Sequence, residues 1–198
     1  MRFAAVVLAA GKSQRMGRNK LLLRVAGRTI LDRVLDAVKA SNADETFVVL
    51  GHRPEELKHI VEAHGAKVII NPDYEEGMTS SIKAGLRHVT ADAAFVVLGD
   101  QLGLSAELLN TMSTLMEVDP EALIVSPVCD GKRGHPVLLR RALFDEILAL
   151  REGQSLKDVV VRHETSHRVV EGDHWCIMDV DTPEDFEKAA RLWCGIER

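Results

Sequence analysis

The feature that most constrains the fold is an uninterrupted apolar run, Phe3–Ala9, which stops at a short loop bounded by Gly11 and Gly17. An apolar run without polar alternation is typical of a strand covered on both faces, as in a parallel sheet. Small residues in the loop allow backbone N–H groups to approach an anion. The loop region also carries four basic side chains, Lys12, Arg15, Arg18 and Lys20. This junction predicts a strand followed by a phosphate-binding turn, with a nucleoside triphosphate as the obvious ligand.

Two well-known phosphate-binding motifs do not match this loop. A Walker A loop has four residues between its glycines and then Lys-Ser or Lys-Thr. Here Gly11 and Gly17 enclose five residues, and Arg18 follows. A dinucleotide fingerprint needs a glycine at position 13, which is Ser13. The pattern therefore supports neither a P-loop hydrolase nor a nicotinamide enzyme, and the structural alternative is a basic surface turn.

Apolar runs that predict strands alternate with segments whose apolar residues recur every three to four positions, the spacing of a helix face. The predicted strands are 3–9, 46–50, 67–70, 94–98, 122–127 and 137–139. Helix faces are predicted within 30–38, 57–61, 108–116, 143–148 and 186–193, and another helix starts near Thr79. We therefore predict one α/β domain over residues 1–198, with a mostly parallel sheet wrapped by helices.

Composition excludes several classes of function. The net charge of -5 argues against nucleic acid as the main partner, because a phosphate-backbone binder usually presents a basic face. The three cysteines are scattered and lack C-x-x-C spacing, so neither a disulfide framework nor a zinc cluster is expected. We see no signal peptide and no apolar stretch of membrane-spanning length. The expectation is a cytoplasmic protein without a membrane partner.

Three aspartates are candidates for a metal site. Asp100 follows an apolar run, at the carboxyl end of a predicted strand, where open α/β sheets bind ligands. Asp179 and Asp181 lie two positions apart in a strand-like segment, so their side chains share one face. Mg²⁺ typically uses one or two carboxylates together with phosphate oxygens. The alternatives are a turn-forming Asp100 and two solvated acids near a helix N-terminus; we expect Asp185 to be only a helix cap.

Residues 163–167 match H-E-x-x-H, the zinc-protease pattern. A zinc-protease helix would place both histidines on one long apolar face and needs a third ligand downstream. Here β-branched residues precede the motif and strand-like residues follow it at once. We therefore expect no zinc at this motif, and a zinc hydrolase is kept only as a rival class.

The opening segment, Leu8-Ala9-Ala10-Gly11-x-Ser13-x-Arg15-Met16-Gly17-x-x-Lys20, closely resembles the first signature of the MobA-like nucleotidyltransferases. Three segments follow in the family's order: Gly77-Met78-Thr79-Ser80-Ser81, Gly99-Asp100-Gln101, and Asp179-Val180-Asp181-Thr182-Pro183-Glu184-Asp185. Gly131-Lys132-Arg133-Gly134-His135-Pro136 is similar to the molybdenum cofactor cytidylyltransferase branch. The resemblance spans Val6 to about Ala190. It implies a Rossmann-like three-layer α/β/α nucleotidyltransferase fold.

The resemblance also implies roles for individual residues. Lys20 would meet the triphosphate and Arg15 its leaving portion, and both act with Asp100 in catalysis. The metal ligands would be Asp100 and Asp181, with Asp179 equally suited by geometry, and His135 would lie on the acceptor side near a pterin phosphate. Lys12 and Arg18 are expected to be solvated neighbours. The implied nucleotide-binding residues are Leu8, Ala9, Ala10, Gly11, Arg15, Lys20, Gly77, Ser80, Ser81 and Asp100.

The activity that the resemblance implies is Mg²⁺-dependent transfer of a nucleotidyl group from a nucleoside triphosphate to a phosphorylated acceptor, with release of pyrophosphate. CTP and a molybdopterin cofactor are the favoured pair, because Ala9-Ala10-Gly11 resembles the cytidylyl branch and the guanylyl branch usually has a second glycine in the middle position. A molybdoenzyme or its chaperone is the implied protein partner.

Two departures from the family pattern keep other functions open. Leu102 stands where the family usually has proline, and the stretch 152–157 lacks the family's arginine. The second departure concerns the predicted identity of the acceptor more than that of the nucleotide. The alternatives are a guanylyltransferase, a sugar-phosphate nucleotidyltransferase and a non-catalytic nucleotide-binding module.

Overall fold

The computed structural model describes residues 1–196, and over that range it has a central sheet, a small hairpin and seven α-helices. The strands are β1 Phe3–Ala9, β2 Arg24–Val25, β3 Arg28–Thr29, β4 Glu45–Leu50, β5 Lys67–Ile70, β6 Ala93–Leu98, β7 Ile124–Cys129, β8 Lys132–Arg133, β9 Val137–Arg140 and β10 His167–Glu171. The helices are α1 Ile30–Ala40, α2 Glu55–Ala63, α3 Met78–Leu86, α4 Ala106–Val118, α5 Phe144–Leu148, α6 Leu156–Arg162 and α7 Pro183–Ile196.

The central sheet has the order β10-β7-β9-β6-β1-β4-β5, and β8 pairs with β7. In the middle of the sheet, β1 pairs in parallel with both β4 and β6. The pairs β4–β5 and β7–β10 are parallel as well, which confirms the prediction of a mostly parallel sheet. Strand β9 is antiparallel to its two neighbours, because the Asp130-Gly131 turn, with φ of 51° and 72°, reverses the chain after β7.

Helices cover both faces of the sheet, which confirms the three-layer α/β/α fold. Helices α1, α2 and α4 pack on one face, and α3, α5 and α6 pack on the other. Within β1, Ala5 and Val7 face the first layer whereas Ala4 and Val6 face the second, and all four are fully buried. Burial on both faces is the reason why β1 contains no polar residue. Across residues 1–196, no helix combines the length and the apolar character needed to span a bilayer.

The C-terminal helix α7 forms a third apolar cluster with the loop after β1. Ala189 and Trp193 pack with Met16 and with Trp175 of the segment before α7. The helix begins with a capping box, in which the Thr182 N–H and hydroxyl donate to the Asp185 carboxylate. The predicted cap role of Asp185 is therefore confirmed, and the cluster brings the late segment 179–181 to the first loop.

Two local predictions differ from the structure. The strand predicted at 122–127 begins at Ile124 and continues to Cys129. At its start, the Ala122 carbonyl oxygen accepts from the Arg140 side chain of β9 and not from a backbone N–H of that strand. Residues 179–181 belong to no strand within the described range. The predicted alternation nevertheless holds, since Val180 is buried and its two acidic neighbours line a cleft.

Candidate active site

The carboxyl ends of β1 and β6 open into a cleft of about 440 Å³. The two strand ends approach closely at Gly99, whose N–H donates to the Leu8 carbonyl oxygen over 2.9 Å. A Cβ at Gly99 would lie 2.7 Å from that oxygen, so glycine is required here. The close approach brings Asp100 to the first loop. Of the predicted site residues, the cleft is lined by Leu8, Ala9, Ala10, Gly11, Arg15, Lys20, Gly77, Ser81, Asp100, Asp179 and Asp181.

Lys20 lies at the centre of a charge cluster in this cleft. Its Nζ contacts Asp100 Oδ2 and lies 3.1 Å from both Asp181 Oδ1 and the Val180 carbonyl oxygen. These three acceptors match the three N–H donors of an ammonium group. Burial acts to lower the pKa of Lys20, but the attraction of Asp100 and Asp181 outweighs it and raises the pKa above its usual value. Lys20 is therefore a stable cation that joins the loop to two acids from distant parts of the chain.

Asp181 is held on both sides. Besides Lys20, it contacts Arg15, whose Nη2 lies 2.8 Å from Asp181 Oδ2. The Asp181 N–H donates to Asp185 Oδ2 over 3.2 Å, so the cap of α7 also positions it. The Arg15 side chain is 69% exposed, which leaves the guanidinium room to turn toward an incoming anion.

Asp100 and Asp181 have the donor chemistry and the convergence that a hard cation requires. Both carboxylates contact the same ammonium nitrogen, so a single positive charge already bridges them. Mg²⁺ prefers oxygen donors and commonly takes one or two carboxylates together with phosphate oxygens. The pair therefore fits Mg²⁺, with Lys20 as the resident cation. Asp179 lines the same cleft on the side away from the loop, where it also borders a second cavity.

Two further cavities adjoin the cleft. The loop cavity, about 520 Å³, is bordered by the first loop and shares Arg15, Lys20 and Asp181 with the cleft. The turn cavity, about 350 Å³, is bordered by residues 132–135 and shares Asp100 and Asp179 with the cleft. Over the described range, the loop cavity and the turn cavity have no lining residue in common. The cleft therefore lies between them in one groove along the carboxyl edge of the sheet.

His135 lies in the turn cavity and not in the cleft itself. Its carbonyl oxygen accepts from Gln101 Nε2 over 2.5 Å, which connects the turn to the end of β6. Within the described residues, Gln101 Oε1 and His135 Nδ1 are buried without a hydrogen-bond partner. Burial lowers the pKa of His135, whereas nearby Asp100 acts in the opposite direction. The sequence motif contained Gln101, but its side-chain role was not predicted.

The two serines predicted to bind the nucleotide are placed differently. Ser81 is buried in the cleft lining, where its Oγ accepts from Asn71 Nδ2 over 3.0 Å. Ser80 lies outside the lining, because its Oγ is 2.8 Å from the carbonyl oxygens of Asp73 and Gly77 in the turn before α3. Asn71 contacts both hydroxyls, a role that no sequence pattern indicated.

Lys12 is not merely solvated, contrary to expectation. Its Nζ lies 2.5 Å from Glu75 Oε1 and 5.7 Å from the centre of the Tyr74 ring. Tyr74 is placed beside the loop because Gly51 leaves room for it, since a Cβ at Gly51 would lie 2.6 Å from the Tyr74 Cβ. Neither Tyr74 nor Glu75 was predicted to belong to the site. Arg18 is exposed, as expected.

The two histidines of the H-E-x-x-H match have separate partners. Helix α6 ends at Arg162, so the motif does not lie on one helix. His163 Nε2 lies 2.6 Å from Glu146, whereas His167 Nε2 lies 2.8 Å from Ser126 Oγ on the neighbouring strand β7. This geometry does not match the shared helix face of a zinc protease.

Comparisons with known proteins agree with the fold. The molybdenum cofactor cytidylyltransferase of Escherichia coli (strain K12) is 26% identical, over 96% of this chain and 97% of its own. A probable molybdenum cofactor guanylyltransferase of Natranaerobius thermophilus is 25% identical, over 95% of both chains. The crystal structure of a Mycobacterium tuberculosis Rv0371c homologue from Mycobacterium sp. strain JC1 superposes with a TM-score of 0.86 at 28% identity, over 99% of this chain and 100% of its own. Residues 5–169 match the model of the MobA-like NTP transferase domain, and the chain belongs to that family.

Proposed function

We propose that this chain transfers a cytidylyl group from CTP to the phosphate of a molybdopterin-type acceptor and releases pyrophosphate. The observation that carries the proposal is the order of charge along the groove. A basic loop cavity, an acidic centre at Asp100 and Asp181, and a turn cavity with Lys132 and with Arg133, whose guanidinium pairs with Glu164, follow one another. Two phosphate-bearing reactants that meet at one phosphorus atom need positive charge at both ends of the groove and, between the ends, a centre where a cation can bridge them.

The chemistry requires no protein nucleophile. An oxygen of the acceptor phosphate attacks the α-phosphorus of CTP, and the bond from that phosphorus to the pyrophosphate oxygen breaks in line. The protein's task is to position both reactants and to offset the charge that develops on the leaving group. Lys20 and Arg15, which border the loop cavity, would offset that charge.

Asp100 and Asp181 would hold Mg²⁺, which neutralises and orients phosphate oxygens when it is bound. Lys20 would then exchange its carboxylate partners for the phosphates of the nucleotide. The exposed Arg15 would move from Asp181 to the same phosphates.

The choice of CTP is supported by Ala10, which lines the cleft where the guanylyl branch usually has glycine. GTP is the second candidate, because relatives named for each nucleotide are similarly close to this chain. The choice of molybdopterin is supported by the names of those relatives and by the turn cavity at His135. We further propose the cytoplasm as the compartment and a molybdoenzyme or its chaperone as the receiver of the product.

The test is a pyrophosphate-release assay with each of the four nucleoside triphosphates, with and without molybdopterin, in Mg²⁺ buffer. We expect release with CTP that depends on both molybdopterin and Mg²⁺. Release with another acceptor but not with molybdopterin would contradict the acceptor assignment. Binding of CTP without release under any condition would favour the non-catalytic alternative.

Variants test the assignment of residues. Lys20→Ala and Asp100→Ala should each lose most turnover, by about 100-fold or more, while the fold survives. Arg18→Ala is the matched control, because it removes an exposed basic residue of the same loop. Near-normal turnover in either of the first two variants would refute the assignment of that residue.

A further inference from the structure

An ion pair links the first loop to the segment after β5 across the loop cavity. Lys12 Nζ lies 2.5 Å from Glu75 Oε1, and both residues line this cavity with Arg15 and Lys20. Arg15 and Lys20 contact Asp181, at the border between the loop cavity and the cleft. Lys12 has a separate acidic partner, so it is a third cation of the cavity whose charge is offset locally.

The contact between Lys12 and Glu75 is easy to separate. The side chains are 35% and 64% exposed, and ion pairs in contact with solvent contribute little to stability. The hydrogen bond between them raises the pKa of Lys12 and lowers the pKa of Glu75, so both groups are charged at neutral pH. A ligand with several negative charges would therefore compete effectively with the single charge of Glu75.

Tyr74 gives Lys12 a second contact that does not depend on Glu75. The Lys12 ammonium lies 5.7 Å from the Tyr74 ring centre, within the range of cation–π attraction. Tyr74 lines both the loop cavity and the cleft. The ring can therefore keep the Lys12 side chain at the cavity after Glu75 has lost its contact.

We propose that Lys12 binds the β- and γ-phosphates of the nucleotide, and that Glu75 holds Lys12 in place until those phosphates replace it. The proposal rests on the proposed function, because it takes the loop cavity as the place of the pyrophosphate portion. It assigns Lys12 a binding role beyond the roles of Arg15 and Lys20. It also assigns Glu75 a negative effect on triphosphate affinity, since Glu75 competes for the same ammonium group.

Isothermal titration of CTP and of CMP in Mg²⁺ buffer tests this exchange, with GTP and GMP in parallel. Lys12→Met should weaken CTP binding about tenfold, as expected for the loss of one charge-assisted phosphate contact. Glu75→Gln should tighten CTP binding about two- to fivefold, within the range of an exposed ion pair. Neither change should alter CMP binding, because CMP has no β- or γ-phosphate.

A double variant separates the exchange from simple repulsion between Glu75 and phosphate. If Glu75 acts through Lys12, Glu75→Gln has no effect on CTP binding in a Lys12→Met background. The matched control is Glu62→Gln, which removes the acid of an exposed Lys58–Glu62 pair on α2. This control should leave the binding of both nucleotides unchanged.

The outcomes distinguish this inference from the proposed function. A wild-type protein that binds neither CTP nor GTP would overturn both. If the wild type binds CTP but Glu75→Gln has no effect, or tightens CTP and CMP alike, only the exchange is wrong. An equal tightening by Glu75→Gln in the Lys12→Met background would also reject the exchange, because Glu75 would then act by repulsion alone.

Discussion

Replacing Lys20 by methionine should make the ligand-free protein bind a divalent metal ion more tightly. In the wild type, the Lys20 ammonium already bridges the carboxylates of Asp100 and Asp181 and also contacts the Val180 carbonyl oxygen. A metal ion that enters without nucleotide must displace this cation. Methionine has nearly the same length but no charge, so the variant leaves the two carboxylates to the metal.

The size of the effect follows from Coulomb's law and from exposure. Opposite unit charges 4 Å apart near a protein surface attract by about 4 kcal/mol at an effective dielectric constant of about 20. The side chains of Asp100 and Asp181 are 20% and 32% exposed, so solvent screens part of their attraction to Lys20. If the loss of this competition favours metal binding by about 2 kcal/mol, the Kd of the metal should fall about thirtyfold.

Mn²⁺ is a suitable probe, because it favours the same carboxylate and water ligands as Mg²⁺ and free Mn²⁺ has an EPR signal. Titration of each variant with Mn²⁺, without nucleotide, gives the Kd directly. Lys20→Arg keeps the positive charge and should bind Mn²⁺ no more tightly than the wild type. The gain in Lys20→Met should disappear when Asp100→Asn is added, and thermal melts verify that each variant is folded.

Two results would refute this reasoning. An unchanged Kd for Mn²⁺ in a folded Lys20→Met variant would mean that the ammonium does not compete with the metal. A gain that persists with Asp100→Asn would mean that the metal binds elsewhere. The first result would separate Lys20 from the metal site, although Lys20 could still contact phosphate, and the second would separate Asp100 from it.

Three further predictions concern the turn cavity and helix α7. Gly134→Ala should destabilise the fold by about 1–3 kcal/mol, because the added Cβ would lie 2.0 Å from the Cys176 carbonyl oxygen; an unchanged melting temperature would contradict this. Gln101→Leu, which removes the hydrogen bond to the turn, should raise the KM for the acceptor about tenfold without changing the Kd of CTP; a change in CTP affinity alone would contradict it. Hydrogen bonds from Thr182 lower the pKa of Asp185, so this acid stabilises the fold above its unfolded pKa, and the contribution is lost as pH falls through the folded pKa. Asp185→Asn should therefore reduce the acid sensitivity of the melting temperature, and parallel pH-dependent melts of the two proteins check this.

The layered fold and the location of the cleft follow from short-range patterns. A strand buried on both faces must be apolar throughout, and β1 is. In open α/β sheets the carboxyl edge of the strands binds ligands, which is enough to predict that Asp100 lies at the ligand-binding edge. These predictions succeed because they depend on burial and on chain direction. Burial sets the spacing of apolar residues, and the order of the predicted strands and helices gives the chain direction.

The partners within the site depend instead on how distant loops meet. Spacing alone could not decide between Asp179 and Asp181, because both lie on one side of the chain. In the structure, only Asp181 of these two contacts Lys20 and Arg15 in the described part of the chain, while Asp179 lies toward the turn cavity. The Lys12–Glu75 contact likewise joins segments that follow β1 and β5, and neither segment has a motif that indicates the other.

The order of charges along the groove suggests a reason for two acids in a site proposed to bind phosphates. The loop cavity has Lys12, Arg15 and Lys20, and the turn cavity has Lys132 together with Arg133, which an incoming anion would have to detach from Glu164. Both ends can therefore supply positive charge to an anion. Asp100 and Asp181 stand between these ends, where two phosphate groups would be closest and their mutual repulsion largest. Carboxylates alone would increase that repulsion, so their position is reasonable only if a cation binds between them and the phosphates. Because Lys20 has a single charge and would also bind phosphate in the proposed function, a divalent ion on the acid pair would be needed to neutralise both reactants together.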